Sequence, residues 1–284
     1  MIVFGKVKAK VKNVIIKKLG LGIGYDPTTE KKILLGKVKA NTKNVVRRLG
    51  VNIGYDPVTE FHANHYLHHN ARRLEHLASL RIPVAGMSVL EVGAGIGDHS
   101  HYYIDRGCSV TITEVRDENL YYLRKRYPWY RVHFLDMESP SNIESSPFDV
   151  IHCYGLLYHL NSPKKALEYL SQNTKKMLFL ETCVSFGETD EINLTGEKQL
   201  DPTQANSGTG CRPTRAWLFR ELQSLFEYVY LPTTQPCHDE FPLDWTIQKN
   251  PKSRLQRAIF IASREPLENE RLTTSLILQQ TRHE

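Results

Sequence analysis

The sequence has no run of 18 consecutive apolar residues, the minimum for a membrane-spanning helix. Its first five residues, Met-Ile-Val-Phe-Gly, form too short an apolar run for a secretory signal. Cysteine is scarce, with five residues and no CxxC pair, so neither a disulfide framework nor a zinc cluster is expected. We therefore expect a cytoplasmic protein with reduced thiols.

Extremes of composition are absent as well. Hydrophobic residues make up 40% of the 284 residues and charged residues 24%, which excludes collagen-like and fully disordered chains. The length predicts one large domain, or one large domain with an appendage.

Positive charge is concentrated near the N-terminus. Residues 1–60 contain 13 Lys or Arg against 4 Asp or Glu, whereas the rest of the chain contains 24 against 27. The same segment is duplicated, because the pattern from Gly5 to Pro27 returns from Gly36 to Pro57 with one deletion. We predict a basic duplicated arm (1–60), a main domain (61–265) and a polar C-terminal tail (266–284).

Each repeat has apolar residues at helical spacing with lysines between them, which predicts a short amphipathic helix. Three partners for these helices stay open: the main domain or a second chain, an anionic membrane surface, and nucleic acid. We favour the membrane over nucleic acid because only Tyr25 and Tyr55 offer stacking surfaces. A peripheral position at the inner membrane would then follow.

From residue 88 to 265, short β-rich runs alternate with helical stretches, which is typical of a doubly wound, mostly parallel α/β sheet. Seven strands are predicted: Ser88–Val92, Ser109–Glu114, Arg131–Leu135, Phe148–Cys153, Lys176–Cys183, Tyr228–Leu231 and Leu255–Ser263. The helices between them are predicted at Asp98–Arg106, Asp117–Tyr127, Pro163–Ser171 and Thr214–Phe226.

The first predicted strand ends in a glycine-rich turn that leads into a helix. Gly93, Gly95 and Gly97 allow a sharp turn and a close approach of a ligand to the backbone. Their spacing is GxGxG and not the GxGxxG typical of dinucleotide binding. Two carboxylates follow at strand ends, Glu114 after the second strand and Asp136, beside Met137, after the third.

Together, Glu91, the three glycines, Glu114 and Asp136 resemble the motifs of the class I S-adenosylmethionine-dependent methyltransferases, over roughly residues 60–265. The resemblance implies a Rossmann-like fold and S-adenosylmethionine as cofactor. It also implies that the glycine turn faces the methionine part, Glu114 binds ribose and Asp136 binds the adenine amino group, with Met137 and Tyr154 beside the cofactor. A nicotinamide-binding Rossmann domain and a cofactor-free α/β domain stay open.

The fourth strand is followed by Gly155-Leu-Leu-Tyr-His159, a loop similar to that of the tRNA wobble-uridine carboxymethyltransferase family. That resemblance implies that Tyr158 contacts the transferred group. The pKa of an unperturbed histidine side chain lies near neutrality, so His159 is our candidate general base toward a hydroxyl group. A buried histidine bonded to backbone, and methyl transfer by alignment alone, are the alternatives.

A histidine-rich helix is predicted before the first strand, running to about Leu80. One face of this helix would carry the imidazoles of His62, His65, His69 and His76. The opposite face would pack on the core through Leu67, Ala71, Leu74 and Ala78. In the methyltransferase family this helix often closes over the site, which nominates Tyr66 and His69 as pocket residues. Residues 238–240 could add ligands to these histidines in a metal site, but we expect no metal because no HExxH-like motif is present.

Two long connections, residues 184–213 and 232–253, are predicted to form a substrate wall. Arg212 and Arg215 are candidates to bind a carboxylate or phosphate of the acceptor, and Trp245 is a candidate to stack on it, as is Trp217. Surface salt bridges for the arginines and core packing for the tryptophans are the alternatives.

The sequence therefore predicts an enzyme that transfers a methyl group from S-adenosylmethionine to a small-molecule, glycan or lipid-linked acceptor. One alternative is a tRNA methyltransferase or carboxymethyltransferase, for which nucleic acid would be the partner. The other is a membrane-associated S-adenosylmethionine-binding module without catalysis.

Overall fold

The computed structural model of the chain describes residues 56–199, 201, 203–247 and 254–283. All but the last five residues of the predicted basic arm lie outside these ranges. The helices are α1 (Pro57–Phe61), α2 (Asn64–Ser79), α3 (Ser100–Ile104), α4 (Asp117–Arg126), α5 (Pro163–Gln172) and α6 (Arg215–Leu225). None of the helices in these ranges is long and apolar enough to cross a bilayer.

The strands are β1 (Ser88–Val92), β2 (Ser109–Glu114), β3 (Arg131–Phe134), β4 (Phe148–Tyr154), β5 (Thr174–Cys183), β6 (Leu194–Gly196), β7 (Thr209–Cys211), β8 (Tyr228–Pro232), β9 (Thr234–Gln235), β10 (Arg257–Ser263), β11 (Leu272–Thr273) and β12 (Thr281–Arg282). A 3₁₀ turn, Leu157–His159, follows β4.

One large sheet has the strand order β11-β8-β10-β5-β4-β1-β2-β3. Its centre is parallel, since β1 pairs in parallel with β2 and β4, and β4 with β5. Strand β10 runs antiparallel between β5 and β8. The predicted doubly wound, mostly parallel sheet is confirmed; the prediction of seven strands missed an eighth, the two-residue β11.

The alternation of side chains along the strands divides the core into two clusters, one on each face of the sheet. In β1, Leu90 packs on the face covered by α5 and α6. Its neighbour Val89 packs on the opposite face, against Leu77 of α2 and Leu123 of α4. Since both faces are covered, nearly all residues of the central strands β1, β2 and β4 are buried, as expected of a parallel sheet.

The prediction for α2 was wrong about which face is buried. His69, Arg73 and His76 are buried, whereas Leu67 is 45% exposed. Ala71 and Ala78 are exposed too, and Leu74 is only half-buried. The helix is therefore rotated relative to the expectation.

The rotation of α2 follows from the polar partners that its histidine face meets. His76 Nε2 lies 3.0 Å from the Thr234 carbonyl oxygen and 3.1 Å from its hydroxyl. Arg73 Nη2 lies 2.7 Å from Glu181 Oε2 at the end of β5. Buried polar side chains are tolerated where such partners exist, so residues distant in sequence decide how α2 packs.

The predicted polar C-terminal tail packs on the main domain. It supplies β11, which pairs with β8, and β12, which pairs with β9. The guanidinium of Arg282 donates to the carbonyl oxygens of Pro236, His238 and Phe241. The tail thereby fixes the turn after β9.

Gly97 is required by packing between the glycine turn and α4. Its φ is +79°, and a Cβ built there would lie 2.6 Å from Tyr127 Cε2 and 2.9 Å from Leu123 Cδ2. We expect Gly97→Ala to lower the free energy of unfolding by about 3 kcal/mol, through left-handed strain and overpacking. Urea unfolding measures this change.

Gly107 provides the matched control, because its φ is +69° and no atom lies within 4 Å of a built Cβ. Gly107→Ala should cost only the backbone strain, about 1 kcal/mol. Equal losses for the two variants would show that the contact with Tyr127 does not matter.

Candidate active site

A cavity of about 270 Å³ lies beyond the carboxyl ends of the central strands. Helices α1 and α2 cover one side and the connection between β6 and β7 covers another. Its lining includes Phe61, Tyr66, His69, Asn70, Arg73, Glu91, Gly93, Gly95, His99, Glu114, Asp136, Met137, His152, Tyr154, Tyr158, His159, Thr203, Gln204 and Arg257. Ligands of doubly wound folds bind in this position.

Glu114 is held at the end of β2 by backbone donors. Its Oε2 accepts the N–H of Gly95 at 2.8 Å, and its Oε1 accepts those of Val115 and Arg116 at 2.8 and 3.0 Å. Burial raises the pKa of Glu114, and these hydrogen bonds oppose that shift. The carboxylate thus links the glycine turn to β2.

Glu91 lies under the glycine turn, where it accepts a hydrogen bond from the Ser100 hydroxyl. Burial raises the pKa of Glu91 to about 8, so the group is largely protonated at neutral pH. Gly93 and Gly95 line the cavity, but Gly97 does not, because it faces Tyr127. We predicted a cofactor contact for Gly97, whereas the structure places this residue in packing against Tyr127 and Leu123.

The end of β3 supplies the opposite part of the wall. Asp136 lines the cavity beside the buried Met137, and its Oδ1 accepts the N–H of Glu138 at 2.9 Å. A glycine turn open to the cavity, a fixed carboxylate after β2 and an acid beside an apolar side chain after β3 fit S-adenosylmethionine. When bound, the cofactor supplies an electrophilic methyl group on a sulfonium.

His159 and Glu197 form a close pair in the cavity wall. His159 Nδ1 lies 2.5 Å from Glu197 Oε2, and Arg212 Nη2 lies 3.1 Å from Glu197 Oε1. Burial by itself raises the pKa of Glu197, but the contacts with His159 and Arg212 outweigh it and lower the pKa to about 2. Burial lowers the pKa of His159 despite Glu197. At neutral pH, Glu197 is therefore ionised and His159 is neutral.

Tyr158 lies between two guanidinium groups. The Cζ atoms of Arg212 and Arg257 are 4.9 and 5.0 Å from its ring centre. Arg257 Nη2 also lies 3.4 Å from the Tyr158 hydroxyl. Burial raises the pKa of Tyr158, so this side chain stays a neutral phenol.

Sequence reasoning missed a buried ion cluster behind this wall. Glu181, fully buried at the end of β5, binds Arg73 at 2.7 Å and Arg257 at 3.0 Å. Arg257 Nε binds Glu240 Oε2 at 2.5 Å. The only signal in the sequence was a carboxylate in the apolar run of β5, since a buried acid at a strand end needs partners.

Two predicted substrate residues lie away from the cavity. The Arg215 guanidinium lies 4.0 Å from the ring centre of Trp245 and donates to the Ile277 carbonyl oxygen. The indole N–H of Trp245 donates to Gln280 Oε1 at 2.8 Å. Both side chains therefore pack against the C-terminal segment. Among the described residues of the site, Arg212 contacts Tyr158 and Glu197 and does not itself line the cavity, whereas Tyr66 lines it directly.

His69, His238 and Glu240 bring potential metal ligands within 4.8 Å of one another. Arg257, however, already supplies the cation for Glu240, and a second cation beside this guanidinium would be repelled.

The family model described as "Methyltransferase domain" matches residues 63–227, more than half of the chain. The chain therefore belongs to this methyltransferase family. It is an S-adenosylmethionine-dependent methyltransferase, consistent with the fit of the cofactor to the cavity.

Solved structures share the fold. The N-terminal domain of EvdMO1, crystallised with SAH and D-fucose, is 18% identical, with a TM-score of 0.54 over 68% of this chain and 82% of that chain. An S-adenosylmethionine-dependent methyltransferase from Mesorhizobium loti is 15% identical, with a TM-score of 0.50 over 69% of this chain and 100% of that chain.

Curated relatives match a shorter region. The tRNA U34 carboxymethyltransferase of Alteromonas mediterranea is 30% identical over 125 residues, which are 40% of this chain and 37% of that protein. The enzyme of the same name from Sodalis glossinidius is 31% identical over 142 residues, or 45% and 40%. The chain thus spans about two fifths of the length of these relatives.

Proposed function

We propose that this methyltransferase methylates a hydroxyl oxygen of a small-molecule, glycan or lipid-linked acceptor. The observation that carries the proposal is the His159–Glu197 pair at 2.5 Å in the wall of the cofactor cavity. With Nδ1–H donated to Glu197, the Nε2 lone pair of His159 is available to accept a proton.

In the proposed reaction, the acceptor oxygen forms a bond to the methyl carbon while the carbon–sulfur bond of the sulfonium breaks. The hydroxyl proton passes to His159 Nε2, and the products are a methyl ether and S-adenosylhomocysteine. Glu197 stabilises the imidazolium that forms, and Arg212 keeps Glu197 ionised and in place. Tyr158, which stays a neutral phenol, orients groups at the methyl-transfer position.

Charge and closure support a small acceptor over a nucleic acid. Outside the first 60 residues the chain has 24 Lys or Arg against 27 Asp or Glu, a poor match for a polyanion. Thr203 and Gln204, from the connection between β6 and β7, also line the cavity, and Thr203 contacts Tyr66 of the cover formed by α1 and α2. Such enclosure shields the transferring methyl group from water.

The test is a methyl-transfer assay with isotopically labelled S-adenosylmethionine. Hydroxylated small molecules, sugars and lipid-linked sugars form one panel, and bulk tRNA is assayed beside it. Label in a methyl ether of the first panel is the expected result. Label only in tRNA would overturn the proposal and favour the second candidate function, which the Gly155–His159 loop and the curated relatives support.

We expect His159→Gln to lower kcat by about 10²–10⁴, the usual contribution of a general base, with little change in cofactor affinity. The base form of His159 exists above its pKa, which burial lowers from 6.5. The kcat/KM of the unaltered enzyme should therefore be constant above about pH 6.5 and fall only in more acidic solution. His101→Gln, an exposed histidine on α3, is the control. Full activity of His159→Gln would remove this base from the mechanism.

We also propose that the basic arm holds the enzyme at the inner membrane surface from the cytoplasmic side, as its +9 charge balance and amphipathic repeats suggest. Deleting residues 1–55, which leaves every described element in place, should abolish binding to vesicles containing anionic lipid. Neutral vesicles serve as the control. Binding to anionic vesicles that survives the deletion would contradict the proposal.

A further inference from the structure

Four side chains form a continuous row of hydrogen bonds from the core to the cavity. The Tyr103 hydroxyl lies 2.9 Å from His152 Nδ1, and His152 Nε2 lies 3.0 Å from His99 Nδ1. His99 Nε2 lies 3.2 Å from Asn70 Oδ1 on α2. Tyr103 is fully buried, whereas Asn70 lines the cavity.

Arg73 determines the direction of this row. Its Nη1 lies 3.4 Å from Asn70 Oδ1, and because a guanidinium can only donate, the atom facing it is the amide oxygen. His99 must then donate to Asn70 from Nε2–H and accept at Nδ1.

The remaining two hydrogen bonds follow in the same direction. His152 donates to His99 from Nε2–H, and its Nδ1 accepts the proton of the Tyr103 hydroxyl. Burial lowers the pKa of His152 to about 3 and that of His99 well below its ordinary value, so each ring carries one proton. Burial likewise keeps the Tyr103 hydroxyl protonated by raising its pKa.

The row leaves the Asn70 amide nitrogen as a double donor. Within the part of the chain that the structure describes, both hydrogen bonds of this side chain use Oδ1. The two partners of Oδ1 are Arg73, which is paired with Glu181, and His99, which lies two residues after Gly97 of the glycine turn. Two N–H donors in the cavity wall next to this turn suit a carboxylate ligand, because a carboxylate only accepts hydrogen bonds and forms strong ones with N–H donors.

We propose that Asn70 binds the α-carboxylate of the methionine part of the cofactor through Nδ2, and that the Tyr103–His152–His99 row orients it for this contact. Tyr103 and His152 are positioning residues, since they act through His99. The proposal rests on the S-adenosylmethionine cofactor and not on the identity of the acceptor.

The test compares two ligands by calorimetry on the full chain. S-adenosylhomocysteine carries the carboxylate, whereas methylthioadenosine lacks the whole amino-acid part. Asn70→Asp keeps the shape of the side chain but replaces its donors by oxygens. We expect about a tenfold or greater loss of affinity for S-adenosylhomocysteine, the usual effect of losing a hydrogen bond to a charged group, and no loss for methylthioadenosine.

Two further variants complete the comparison. Asn64→Asp makes the same change at an exposed position of α2 and should bind both ligands normally. Asn70→Ala removes the donors without adding charge and should repeat the selective loss. Equal losses for the two ligands, or no loss for either, would overturn the proposal. Because neither measurement contains an acceptor, a failed acceptor screen leaves this result unaffected, and the reverse holds as well.

The orienting row has its own readout. Nitrogen NMR of labelled imidazoles should show His99 and His152 neutral and protonated on Nε2. Tyr103→Phe should reduce the preference for S-adenosylhomocysteine over methylthioadenosine several-fold, because Asn70 is then less firmly held. Protonation of either ring on Nδ1, or an unchanged preference in Tyr103→Phe, would show that the row does not position Asn70.

Discussion

The buried carboxylate of Glu181 is the contact on which the arrangement of the site depends. It is inaccessible to solvent at the end of β5 and is shared by Arg73 from α2 and Arg257 from β10. Removing one partner of a buried ion pair costs about 3–5 kcal/mol, because the remaining charge stays buried. The pairing therefore fixes α2 over the carboxyl edge of the sheet and places Arg257 against Tyr158.

The position of α2 then determines which groups reach the cavity. With Arg73 held at Glu181, the same face of α2 presents Asn70 and His69 to the cavity, about one helical turn before Arg73. A rotation that buried Leu67 in their place would separate Arg73 from Glu181. The ion pair between Arg73 and Glu181 therefore explains why polar side chains of α2 are buried. It also explains why this wall of the cavity is polar.

Local patterns predicted the sheet and the glycine turn that lines the cavity. Short β-rich runs bounded by turn residues identify β1, β2 and β4. A parallel strand that is buried on both faces needs many apolar residues, so its own sequence is enough to predict it. The glycine turn can also be recognised in the sequence, because its positive φ angles and the close approach of other groups to its backbone require glycine at these positions. The face of α2, the partners of Arg215 and the strand β11 depend on residues 30 or more positions away, and the periodicity of a local segment carries no information about such residues.

Two histidines that line the cavity, His69 and His159, each lie close to a carboxylate, and their surroundings give them different chemistry. His159 is 2.5 Å from Glu197, whose charge opposes the desolvation of an imidazolium. His69 is 3.6 Å from Glu240, and burial together with Arg73 and Arg257 lowers its pKa far below the ordinary value. Because Arg257 already neutralises Glu240, a proton on His69 would meet uncompensated positive charge. The proposed mechanism therefore assigns proton uptake to the His159 pair and not to His69, and it is the charges around the cavity, more than the distances alone, that distinguish the two histidines.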